Sequence, residues 1–417
     1  MLAYEKFDIF KEALSFVPND YRFTYTPLLR ACFLFNFNFE EKGLLEKDAP
    51  EVVSLALQGS NRFFFPPKRI VKKAAYFKDY PFLESIISEV KNRGVKVERL
   101  AYPAKEANVD YISNKQHEEA LFFSQKISEA TGVFLYPYFK KKMEDFNSMV
   151  MSFYKELKGR DIDLVFLRCH YSLYNFPLIF ACKMLGVTVV DVQHGINGFK
   201  HLCYSKFKGI EINSPLLPDV FWTWSDMATK MLTKDSSIES VACIVEGGNP
   251  IFSSTESQQG KKLLYTHQPQ SKGIPIPIEE IKRVAEIKKR EVVVRPHPLH
   301  VDEAKAVLDV LKKEGVKSRL EDPHKISIND SLSQTSVHVT YSSTCALDAL
   351  NFGIPSVYCS DLIGDVEKEF STGLLFKSNE VNKENLARDP KKSTAYSLGN
   401  AEKIERAISQ ILSQLAT

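Results

Sequence analysis

Several apolar runs in this chain end in side chains that could do chemistry. EVVVR (291–295) runs into Pro296, His297 and Pro298. The two prolines fix the backbone on either side of the histidine. An imidazole held in this way can donate to a phosphate or protonate a leaving phosphate. Arg295 could add charge beside it. VHVTY (337–341) runs into Ser342, Ser343 and Thr344 at the start of a helical pattern. Three hydroxyls and the open N–H groups of a helix start would form an anion site, whereas an ordinary cap needs one hydroxyl. Asp348, one helical turn on, could reach a ribose hydroxyl or stand as a surface carboxylate.

LLYT (263–266) ends in Thr266 and leads into His267, Gln268 and Pro269. Thr266 could contact a phosphate or a sugar. VTVVDV (187–192) leads into Gln193, His194 and Gly195, and Gly195 and Gly198 bracket a loop that can bend sharply. His194 could take the proton from an acceptor hydroxyl. Asp191 could orient it or serve as the carboxylate itself. His170 follows the run DLVFLR (163–168), and Glu246 precedes Gly247-Gly248-Asn249-Pro250. For His297 and His194 the structural alternative is a histidine bonded to a neighbouring carbonyl; for His267 it is an exposed loop histidine.

These residues need a scaffold that presents strand ends. In the second half, short apolar runs alternate with helical patterns at 276–290, 301–315 and 343–353, the last closed by Gly353. Strands alternating with helices predict a parallel sheet covered on both faces. The first half repeats the theme: DLVFLR, VTVVDVQ, DVFWTW and SVACIVEG read as strands, with helical patterns between them. The expected fold class is α/β, two doubly wound Rossmann-type domains with parallel sheets facing a central cleft. The expected domains are residues 1–250, for an acceptor, and 251–400, for a nucleotide sugar. The polar segment 253–262 separates them, and a helix at 401–417 packs back across the cleft. Residues 1–50 are aromatic-rich and fit no element.

Composition sets the outer limits. The chain has 417 residues, of which 44% are hydrophobic, 12% aromatic and 26% charged, as in an ordinary globular protein. Lys plus Arg is 55 and Asp plus Glu 52, so 55 − 52 gives +3, which argues against nucleic-acid binding. The seven cysteines are odd in number and form no CxxC pair, which argues for a reducing compartment and against a zinc ribbon. No metal cofactor is expected, because no DxD stands at a strand end and no cluster has ligand spacing. The first residues do not read as a signal peptide, and no apolar run approaches the ~18 residues of a spanning helix. A cytoplasmic protein is expected. Two basic, aromatic stretches, 62–78 and 136–146, could touch the inner face of an anionic membrane, or be solvated helix faces.

Taken together, QHG at 193–195, GNP at 248–250, RPHP at 295–298 and SST with ALDALNFGIPSV at 342–357 resemble GT-B glycosyltransferases that build bacterial surface polysaccharides. The histidine–proline pair and the later serine pair look like those of bacterial sialyltransferases and Kdo transferases. That resemblance implies transfer from a CMP-sugar to a glycan or glycolipid in capsule or lipopolysaccharide synthesis. It implies that His297, Ser342 and Ser343 hold the CMP phosphate, and that an acid or histidine of the first domain handles the acceptor. The sialyltransferases' paired acid and glycine has its nearest counterpart in Glu246-Gly247, with Val245 where the other acid would stand. On the same fold, a nucleotide-sugar 2-epimerase and a CDP-glycerol-type phosphotransferase are the alternatives. A non-enzymatic scaffold is a further one.

Overall fold

The computed structural model describes residues 6, 8–10, 12–13, 25–36, 70–77, 83–101, 111–197, 201, 203–204, 215–234, 238–240, 242–251, 260–268, 275–298, 300–359, 366–368, 371–387 and 401–416. Gly198, Pro269 and the expected features at 62–69 and 253–259 lie outside these residues. The chain forms two compact units. The first comprises Met1–Thr223, Lys230–Gly247 and Glu402–Thr417; the second comprises Trp224–Thr229 and Gly248–Ala401.

Among the described residues, the first unit holds a sheet of six strands: β1 (Lys73–Phe77), β2 (Lys96–Leu100), β3 (Leu164–Leu167), β4 (Thr188–Val192), β5 (Val220–Thr223) and β6 (Cys243–Glu246). Their order is β2-β1-β3-β4-β5-β6, and every pairing is parallel. β3, β4 and β5 are buried along their whole length. Continuous apolar runs such as LVFL suit this, because a parallel sheet is covered on both faces. One face packs on helices Leu83–Asn92 and Ala401–Ala416 through Ile86, Val90, Ile404 and Ile408. The other packs on helices Tyr136–Lys158 and Asn175–Met184 through Phe153, Leu157, Leu178 and Ile179. The final helix thus belongs to the core of the first unit.

Residues near the start of the chain also find a place there. Helix Thr26–Ala31 buries Leu28 and Leu29 in a cluster with Phe10, Phe33, Phe123 and Phe139. Its first turn is held by the fully buried Glu119, whose carboxylate accepts from the Tyr25 amide (2.9 Å) and the Thr26 hydroxyl (3.1 Å).

The described parts of the two basic stretches form elements of the first unit. Residues 73–77 are β1, with Ala74, Ala75 and Phe77 buried and Lys73 paired to Glu98. At 136–146 a helix buries Phe139, Met143 and Phe146, while Lys140 and Lys141 pair with Glu144 and Asp145. Among the described residues, no helix is long and apolar enough to cross a membrane.

The second unit's sheet, among the described residues, contains β7 (Lys262–Thr266), β8 (Val292–Arg295), β9 (Ser318–Leu320), β10 (Thr335–Thr340), β11 (Ser356–Tyr358) and β12 (Leu375–Lys377). The order is β12-β11-β10-β7-β8-β9, again all parallel. Leu263, Tyr265, Val292, Val294, Val337 and Val339 form one core with Ile281, Val284, Val307 and Leu311 of the covering helices. Both units are doubly wound parallel α/β layers, as the alternation of runs predicts.

Each sheet has one place where the winding reverses. In the first it lies between β1 and β3, in the second between β7 and β10. The carboxyl ends of the strands at such a reversal are the general ligand position of doubly wound sheets.

A close approach supports the strand ends of the first unit. A Cβ on Gly247, just after β6, would lie 2.0 Å from the ring of Trp222, which is buried on β5. Gly247→Ala should therefore displace a large, enclosed ring and cost about 1–3 kcal/mol. The check is the urea midpoint, and an unchanged midpoint would mean that the ring has room to move.

Candidate functional site

In the second unit, the loops after β7 and β10 meet at the winding reversal. The Gln268 side chain joins them: its Oε1 accepts from the Ser342 amide at 2.7 Å and its Nε2 donates to the Ser342 hydroxyl at 3.1 Å. Ser343 is fixed separately. Its amide donates to the Thr340 hydroxyl (3.1 Å), and its own hydroxyl accepts from the Cys345 amide (3.3 Å). Ser342, Ser343 and Thr344 are half-buried at the start of helix Cys345–Asn351, and Asp348 is buried in its first turn. Strand-end reading singled out the hydroxyls but not Gln268, whose role depends on a partner 74 residues away.

The other residues expected at this end point in different directions. Thr266 is 5% exposed, and its hydroxyl bonds Nε2 of the fully buried His338 (2.8 Å), whose Nδ1 meets Ser356 (3.1 Å). Burial pushes His338 down to about 3, so it is neutral. Thr266 thus ties the sheet interior together, where a phosphate or sugar contact was expected. Arg295, 7% exposed, donates from Nη1 to Glu321 (2.9 Å), so its charge is answered inside the unit. Lys262 and Ser331 bond the same carboxylate.

His297 is exposed, with its ring 5.7 Å from that of His300. His300 Nδ1 lies 3.4 Å from Glu303, and the other oxygen of that carboxylate is 3.5 Å from His267 Nε2. Burial lowers His267's pKa, and the hydrogen bond and charge of Glu303 only partly oppose this.

In the first unit the groups gather at the ends of β3 and β4, beside the winding reversal. Cys169 ends β3's turn with φ +61°, a left-handed backbone unusual for a non-glycine residue. Asn175 Nδ2 donates to the carbonyls of Arg168 (2.6 Å) and Cys169 (2.9 Å), which holds that turn. The Cys169 sulfur lies 3.0 Å from Nε2 of His194, and the Tyr171 hydroxyl is 3.4 Å from the same nitrogen. Tyr171 also meets His201 Nε2 at 3.2 Å.

Asp191 does not join this chain. It is 2% exposed, and its Oδ2 takes His170 Nδ1 (2.8 Å) and the Tyr204 hydroxyl (3.0 Å). The ring of His170 is enclosed by Tyr171, Tyr204 and Phe221, each edge-on at 5.0–5.4 Å. The expected pair of Asp191 with His194 is thus replaced by Asp191 with His170.

His194 is half-buried. Burial, then the charges of Arg168, His201 and His170, lower its pKa to about 3. A general base must become imidazolium, and these surroundings oppose that form. Glu246 ends β6 and pairs with Lys403 of the final helix. Tyr171, His201 and Cys169 escaped sequence reading, although CHY at 169–171 follows an apolar run as QHG does. Among the described residues, no three His, Cys, Asp or Glu side chains converge as a metal site would require.

No protein-family model matches the chain, and no curated protein matches it. Solved structures share its fold. The UDP-GlcNAc 2-epimerase of Neisseria meningitidis, bound to UDP-GlcNAc, aligns at TM-score 0.52 and 15% identity over 82% of this chain and 100% of its own. S. aureus MnaA, in a co-structure with UDP, aligns at TM-score 0.52 and 14% identity over 83% and 97%. The Methanocaldococcus jannaschii UDP-GlcNAc 2-epimerase, in complex with UDP-GlcNAc and UDP, aligns at TM-score 0.50 and 16% identity over 82% and 100%. At these identities the likeness is one of fold, the two-domain GT-B architecture.

Proposed function

We propose that the protein is a nucleotide-sugar enzyme, and specifically a 2-epimerase acting on a UDP-activated N-acetyl sugar. The observation that carries this reading is the Gln268–Ser342 clamp at the second unit's winding reversal. It stands in a fold shared with proteins solved with UDP and UDP-GlcNAc. In this proposal Ser342, Ser343 and Thr344 receive the phosphates, and His297 donates to the leaving phosphate. Asp348 reaches the ribose, while Thr266 and Arg295 support the site from beneath. His194, Asp191 and Glu246 are assigned to the first unit's part in the chemistry. The protein would work in the cytoplasm, without a metal.

Epimerisation by elimination breaks the C2–H bond, with the proton going to a base. The electron pair of the C1–O bond leaves with the diphosphate. Re-addition then delivers a proton to the opposite face of C2. The test is UDP-GlcNAc in D2O without an acceptor. The expected result is deuterium at C2 and a mixture of C2 epimers. UDP should bind more tightly than CMP, CDP or GDP. His297→Ala and Ser342→Ala should each weaken UDP binding about tenfold or more, since hydrogen bonds to charged groups contribute roughly 1.5–3 kcal/mol. If neither variant weakens it, the site assignment is wrong.

A second reading has its own support. RPHP at 295–298 and SST at 342–344 favour transfer of a Kdo- or sialic-type sugar from CMP to a glycan or glycolipid. Preference for CMP, no C2 exchange, and a product that appears only with an acceptor would select it.

A further inference from the structure

At the carboxyl ends of β7 and β8 one carboxylate stands between two histidines and beside a third. Glu303 opens helix Glu303–Lys313, which follows β8 through the turn that carries His297. Within that turn the His300 amide donates to the His297 carbonyl at 2.9 Å. Glu303 sets Oε1 3.4 Å from His300 Nδ1 and Oε2 3.5 Å from His267 Nε2, both at ion-pair distance. His267 is a fixed anchor. It is buried, its amide donates to the Arg295 carbonyl (2.9 Å), and its Nδ1 lies 3.3 Å from the Tyr265 hydroxyl. His300 is partly exposed, and its ring is 5.7 Å from that of the exposed His297. The carboxylate thus links a ring held on the sheet to the ring next to His297.

A glutamate in the first turn of a helix has an ordinary reading, in which its charge answers the helix N-terminus. That role needs a charge but no particular reach. It does not account for each oxygen lying against a different imidazole. An isolated exposed ion pair contributes little, whereas several charges joined in a network can hold a geometry. We propose that Glu303 is a positioning residue: by spanning His267 and His300 it fixes the turn from which His297 meets the nucleotide's phosphate. The phosphate contact rests on the sugar-nucleotide reading above; the bridge does not.

The test titrates the full chain with UDP. Glu303→Gln keeps the side chain's length and removes its charge, and should weaken UDP binding about threefold or more, as for a residue coupled within a network. Added to His297→Ala it should cost less than about twofold further, because the carboxylate acts through that ring. Glu303→Asp keeps the charge at the helix start but is one methylene shorter, and should bind UDP as weakly as Glu303→Gln. His300→Gln breaks the bridge from its exposed side, and should reproduce the loss where a Glu303 variant folds poorly. Unchanged affinity in Glu303→Gln overturns the proposal. So does full affinity in Glu303→Asp, or a loss that multiplies in full with that of His297→Ala. A second readout needs no ligand: 15N-histidine spectra of the full chain, assigned through single His→Gln variants. The charge of Glu303 opposes the lowering that burial imposes on His267, so in Glu303→Gln that ring should titrate at lower pH. The His297 signals should shift with it, and unmoved His297 signals overturn the bridge. If the unaltered protein does not bind UDP, the function reading fails, and the histidine spectra still decide the bridge.

Discussion

Glu321→Ala should destabilise the second unit by about 3–5 kcal/mol, the usual cost of removing one partner from a buried charge cluster. Glu321 is buried and takes hydrogen bonds from Lys262, Ser331 and Arg295. Truncation would leave an ammonium and a guanidinium enclosed together with no carboxylate between them. Burial alone would push the Glu321 carboxyl up; the bonds from Lys262, Ser331 and Arg295 outweigh it and hold the group below its usual range. Burial also draws Lys262 toward its neutral form. The direction that governs the cluster is that of Glu321, because its carboxylate has three donors.

The pH dependence follows with a definite sign. The folded pKa of Glu321 is depressed, so its contribution is present above the ordinary glutamate range, about 4. That contribution is lost as pH falls through the folded value. Urea midpoints of the unaltered protein should drop on acidification below that range, and Glu321→Ala should lack this part of the slope. A variant that loses less than about 1 kcal/mol would show that the cluster does little for stability.

Asp191→Ala should cost the first unit about 2–6 kcal/mol. One carboxylate oxygen takes both His170 Nδ1 and the Tyr204 hydroxyl. Removing it leaves two buried donors unanswered, each at roughly 1–3 kcal/mol. Thermal unfolding of a unit of this size should shift by roughly 2–4 °C for each kcal/mol lost. Tyr204→Phe removes a donor and its bond together, and so should cost much less. If the two variants were equal, the carboxylate would not be the centre of the cluster.

Several features are legible in the sequence alone. The runs at 163–168, 187–193, 263–266, 291–295 and 337–341 locate β3, β4, β7, β8 and β10, because a strand buried on both faces must be apolar throughout. β1 was hidden, since its apolar residues follow Lys72 and Lys73 in a basic stretch, and β12 is only three residues long. Ser342, Ser343 and His297 stood out because glycine, proline and hydroxyl residues after a strand mark a loop.

What the chain determined by itself was therefore the alternation of strand and helix and the polar groups placed at strand ends, both written in local periodicity. What only the tertiary structure decided was which of those groups meet. Asp191 went to His170 rather than to His194, Gln268 bridged to Ser342, and Arg295 turned to Glu321. These partners lie 21, 74 and 26 residues apart. Strand order brings them together, and strand order follows from how the helices cover the two faces of each sheet.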